Sequence, residues 1–95
     1  MSDMPKFKLT TVPVATPAAL GSTRLMAVTL VGGSAASSVE FKDAATDTGT
    51  VVYSINVPIA TTLHVCLEEV GGIAFTTNIF VKPAGAGALV YAWSA

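Results

Sequence analysis

The stretch that most constrains this chain is 37–57, SSVEFKDAATDTGTVVYSINV. Val39 and Phe41 alternate with Ser38, Glu40 and Lys42, and Val51, Tyr53, Ile55 and Val57 share a second alternating phase. Successive strand side chains project to opposite faces, so each run has one apolar side. Between them, Asp43 to Gly49 is rich in Ala, Thr, Asp and Gly. Asp bonds nearby backbone groups and Gly tolerates positive φ, so this is turn chemistry. The stretch therefore predicts a β-hairpin, and a lone hairpin is marginal in water. The rest of the chain has to cover it.

The remainder supplies more strands. In 23–31, TRLMAVTLV, Leu25 and Ala27 form one apolar phase and Met26, Val28 and Leu30 the other. In a small domain one of those faces is core, which makes the Met26, Val28 and Leu30 face a candidate interface. The segment 61–68 alternates Leu63, Val65 and Leu67 with His64, Cys66 and Glu68. Ile73 and Phe75, then Ile79 and Val81, continue the rhythm around Asn78, a residue suited to a left-handed kink or bulge. The last strand opposes Leu89, Tyr91 and Trp93 to Val90 and Ala92. Pro83 with the AGAGA run marks the turn before it. Most aromatics fall on the expected core phases, with Phe80 the exception and a candidate interface anchor. About seven strands with regular turn signals predict an all-β antiparallel sandwich, jelly-roll-like or immunoglobulin-like, over 23–95. Residues 1–22 read differently. Pro5, Pro13 and Pro17 oppose a helix or central strand, yet Phe7, Leu9, Val12 and Val14 are too apolar for a solvated tail. An extended N-terminal arm lying on another surface, its own or a neighbour's, fits both facts, and an edge strand of the same domain fits them too.

Composition narrows the function. Ninety-five residues make one domain, with 52% hydrophobic and 12% charged residues and a mean hydropathy of +0.65. That charge content is about half the usual ~25%, so apolar area is expected outside the core, where it marks contact with other chains. Lys6, Lys8, Arg24, Lys42 and Lys82 are scattered, which argues against a nucleic-acid or membrane partner. Asp3, Pro13 and Pro17 interrupt any signal-peptide pattern, so a soluble, unprocessed chain is expected. His64, Cys66 and Glu68 share a strand phase but lack the further His or Cys that a zinc site wants. Asp43 and Asp47 are too few for a calcium loop and read as turn residues. GGSAASS at 32–38 lacks the Lys of a phosphate loop. The single His and single Cys offer no third group to orient a nucleophile. No catalytic residue, metal site or cofactor is expected, and Cys66 reads as an inert small hydrophobe.

Three motifs together resemble small all-β structural proteins of tailed bacteriophages. They are VEFKDAATDTGTVV at 39–52, with a D-A-x-x-x-x-G-T-V turn, GIAFTTNI at 72–79, and VYAW at 90–93. The similarity spans roughly Arg24 to Trp93. It departs at Asn78, where the group often has Gly, another residue that tolerates the same backbone. The resemblance implies a virion component assembled in the host cytoplasm, best suited to a capsid cement or decoration protein. Such a protein self-associates, often as a trimer, and seats on the capsid surface where major capsid proteins meet. A head–tail connector, tail or fibre subunit shares the composition. A small carbohydrate-binding module is the reading from a different class.

Overall fold

The computed structural model describes residues 7–95, so the first six residues of the expected arm lie outside it. The strands are β1 (Lys8–Pro13), β2 (Ala18–Ala19), β3 (Arg24–Val31), β4 (Ser37–Asp43), β5 (Thr50–Val57), β6 (Thr62–Cys66), β7 (Ile73–Ala74), β8 (Ile79–Ala84) and β9 (Leu89–Ser94). A short 3-10 turn, Glu68–Val70, follows β6. Seven of the nine strands, β3 to β9, lie within 23–95, in line with the sequence expectation.

All pairings are antiparallel and form two sheets. Sheet A runs β1-β9-β3-β6, with β7 beside the start of β3, and sheet B runs β2-β8-β4-β5. The two orders match position by position. Each matched pair (β1 with β2, β9 with β8, β3 with β4, β6 with β5) is consecutive in the chain, so the polypeptide crosses between layers four times at corresponding places. This is the jelly-roll winding rather than the immunoglobulin order.

The expected hairpin is present as β4 and β5. Phe41 pairs with Tyr53, but Lys42 pairs with Val51, leaving Val52 as an extra residue on β5. This bulge turns Val51 to the outward side of Lys42, so only Tyr53, Ile55 and Val57 of the expected face lean on the core. A second bulge corrects the reading of 23–31. Leu25 pairs with Ser94 and Ala27 with Trp93, so Met26 is the extra residue. The inward phase therefore runs through Leu25, Val28 and Leu30, all three fully buried. Val28 and Leu30 are core, not interface. Met26 is also covered: its carbonyl accepts the Leu67 N–H at 2.8 Å, and the 67–72 turn packs on its side chain.

The arm is corrected too. β1 pairs with β9 over its full length, and β2 pairs with β8. Residues 8–19 thus serve both sheets, and no separate unit ends at residue 22. Val12, expected at an interface, is fully buried in the core. Val14 and Phe7 are half-buried, and the Val14 N–H donates to the Ala88 carbonyl at 3.2 Å. The prolines fit this outcome because β1 is an edge strand that ends at Pro13. Pro83, expected in a turn, lies in β8 past the two residues that β2 covers, where the strand is again an edge. Asn78 also differs from expectation. Its φ is not positive, and its side-chain oxygen instead accepts the N–H groups of Gly21 at 3.0 Å and Ile79 at 2.7 Å. It ties the chain's passage between sheets to the end of β2.

The core between the sheets joins Val12, Leu20, Val39, Phe41, Ile79, Val81, Val90 and Ala92 to the β3 residues. Phe41 packs tilted on Tyr53 with ring centroids 6.0 Å apart. At one end the loop after β3 meets the loop after β8 so closely that a Cβ on Gly33 would lie 2.0 Å from the Ala86 carbonyl oxygen. If Leu30 is core, Leu30→Ala should lower stability by about 2–5 kcal/mol in urea unfolding at any protein concentration. An interface residue would instead show a loss that depends on concentration.

Candidate functional site: an uncharged sheet face

Strand register places twelve outward side chains of sheet A in three rows, with the exposed pair Arg24 and Ala74 lying beyond the first. Leu9, Trp93, Ala27 and Cys66 form the first row, and Thr11, Tyr91, Thr29 and His64 the second. Pro13, Leu89, Val31 and Thr62 form the third. Residues directly opposite in antiparallel strands share a face, so these twelve side chains make one surface four strands wide. None of them is buried, and none is Asp, Glu, Lys or Arg. Polar atoms are present but paired sparingly: the Thr29 hydroxyl and His64 Nδ1 share a hydrogen bond. The His64 ring meets Trp93 edge-on, 5.8 Å between centroids.

The outward face of sheet B is built differently. Glu40, Lys42 and Lys82 project from β4 and β8, and Asp47 from the hairpin loop joins them. The Asp47 carboxylate accepts from both Lys42 and Lys82, the latter at 2.7 Å. These contacts hold the Asp47 carboxyl below its ordinary value and Lys82 above its own. Asp43 binds the other end of the loop: its carboxylate accepts the N–H groups of Thr77 at 2.8 Å and Thr76 at 3.0 Å, which lowers its pKa. Both aspartates thus act as loop anchors. The three outward rows of sheet A carry no charge, with the exposed Arg24 lying just beyond them at the start of β3, and these rows are the candidate site.

Among the residues expected at an interface, Leu9 lies on this face, 52% exposed, and no other one does within the rows. Phe80 is half-buried on the opposite side, opposite Lys42 in the β8–β4 register. Tyr91 and Trp93 were expected in the core, but the core phase of β9 is Val90, Ala92 and Ser94. Tyr91, Trp93, His64 and Thr29 are the site residues that sequence reasoning passes over. Both phases of β9 are apolar, so alternation alone does not say which one faces in. The available signal was size: small residues at 92 and 94 suit a tightly packed interior strand. Glu68, expected on a strand with His64 and Cys66, begins the 3-10 turn instead, with its Oε2 4.0 Å from the Cys66 sulfur. Among the described residues no group of three or more His, Cys, Asp or Glu is placed to hold a metal ion.

No family model matches the chain, and neither a curated protein nor a solved structure matches it.

The depressed aspartates give a signed pH dependence. Folding favours their ionised forms, so their contribution is complete above the unfolded value near 4 and is lost as pH falls through the lower folded values. The unfolding midpoint should therefore drop in acid. Asp43→Asn should start a few degrees lower at neutral pH and fall less steeply, as read by thermal melts across an acid series.

Proposed function

We propose that this chain is a non-enzymatic structural protein of a tailed-phage virion, most specifically a capsid cement (decoration) protein whose sheet A face seats on major capsid proteins. The observation that carries this reading is the charge-free face of twelve residues on a jelly-roll sandwich. An uncharged face rich in aromatic and threonine side chains gains by burial, which marks a surface suited to another chain. The jelly roll recurs in viral capsid domains, and the motifs at 39–52, 72–79 and 90–93 supply the phage resemblance. Cementing needs no cofactor. It works by linkage: contacts made across capsid subunits in the assembled shell are lost if a capsomer leaves, so they stabilise the shell by mass action.

A second reading has its own observation. Tyr91 and Trp93 lie two residues apart on one strand face, with the His64 ring edge-on to Trp93, and outward aromatic rings of this kind offer faces on which a sugar ring could stack. A glycan array with defined hits and no binding to shells would favour that carbohydrate-binding module.

The test adds purified protein to shells that lack it and measures occupancy by co-sedimentation and cryo-EM. Thr11→Glu combined with Thr29→Glu should reduce shell occupancy at least about tenfold, because each buries a charge in an apolar contact. Ser38→Glu, on the opposite face, should leave it unchanged. Equal binding by all variants would overturn the assignment of the face. Density confined to the tail in few copies would move the protein to a connector, tail or fibre role.

A further inference from the structure

The two sides of the sandwich are guarded unequally. On one side the sheets end in β1 and β2. β1 carries Lys8 and stops at Pro13, and β2 is only two residues long. Short strands, lysine and proline are the usual means of keeping a sheet edge from pairing with another chain. On the other side the sheets end in β5 and β6. Thr50–Val57 and Thr62–Cys66 contain no Asp, Glu, Lys, Arg or Pro. Beyond β4, no strand among the described residues pairs with β5. Of the large apolar residues left exposed, Val51, Val52, Ile59 and Leu63 lie on these strands or the link between them, and Val70 follows in the turn after β6. Among the described residues only Leu9 lies elsewhere.

We infer that the β5 edge pairs antiparallel with β5 of a second copy of this chain, joining two four-stranded sheets into one of eight strands about a twofold axis centred on Ile55. Three features select a second copy as the occupant. A twofold contact sets each surface against itself, so an edge with any net charge would meet like charge, and this edge has none. Centring on Ile55 keeps both faces in phase: Tyr53 meets Val57 on the core side, and Ser54 meets Asn56 on the outer side. It also leaves the Val52 bulge outside the paired segment Tyr53–Val57. The same axis brings the β6 edges together, covering Leu63 and Ile59. The five-residue paired segment is about 17 Å long, and an edge two sheets deep is about 20 Å, so each copy buries roughly 340 Å². That is below the ~800 Å² per partner of a stable interface, so the dimer is concentration-dependent, with backbone ladder bonds supplying its register. This contact leaves the sheet A face free and is independent of what that face binds.

The test is sedimentation equilibrium of the full chain over a concentration series, with two double variants. Ser54 and Asn56 are exposed on the outer side of the edge, so both variants should fold, which thermal melts would confirm. In Ser54→Lys with Asn56→Lys, the proposed register sets lysine against lysine twice, and dimerisation should weaken about tenfold. In Ser54→Lys with Asn56→Glu the same positions become opposite charges, and dimerisation should be kept or strengthened. A wild-type chain that stays monomeric at every concentration would overturn the inference. So would a trimer, or two variants that weaken association equally.

Discussion

Everything in this fold depends on giving each of two sheets one buried face, and in a chain this short the strand phases have to agree across both layers. Val12, Val90 and Val28 from sheet A meet Val39, Phe41 and Val81 from sheet B in one core. A one-residue slip in any strand would exchange its inner and outer side chains. The two bulges are where the chain absorbs that slip. At Met26 the extra residue brings Leu25 and Val28 onto the same side, although their spacing belongs to neither strand phase. At Val52 the extra residue leaves Ile55 and Val57 inside and sends Val51 out.

With the inner faces settled, the outer faces are free to diverge. Sheet B faces out with Glu40, Lys42, Lys82 and the loop's Asp47, four charges that compensate one another within reach. Exposed pairs of this kind contribute little to stability but keep a surface solvated. The three rows of sheet A face out with aromatic, aliphatic and threonine side chains and no formal charge, Arg24 lying beyond them at the start of β3. The low charge content of the chain is therefore not spread evenly. It is a property of one face, and the exposed β5 and β6 edges share it.

The sequence made the hairpin legible because its turn chemistry and its alternation agree. Val39, Phe41, Ile55 and Val57 all sit where that alternation put them. The stretch 23–31 was not legible in the same way. Both of its phases are apolar, and the bulge at Met26 leaves no mark in local pattern, so Val28 and Leu30 read as surface while lying in the core. For the N-terminal segment the prolines pointed equally to an arm and to an edge strand. The choice was made by β9, whose free side β1 fills. The candidate face was the least visible part. Leu9 was picked out for its apolarity, but Tyr91, Trp93, Thr29 and His64 come from three distant segments and become neighbours only through strand register.

What the sequence determined by itself is the material: an antiparallel all-β chain with too little charge to cover all its surface. Those conclusions rest on local quantities, namely alternation, turn residues and composition, which neighbouring strands do not alter. The tertiary structure decided the jelly-roll order, the inward phase of β3 and β9, and the three charge-free rows on sheet A. These depend on which strands pair and in what register, and that is fixed by long-range packing that no single stretch of this chain encodes.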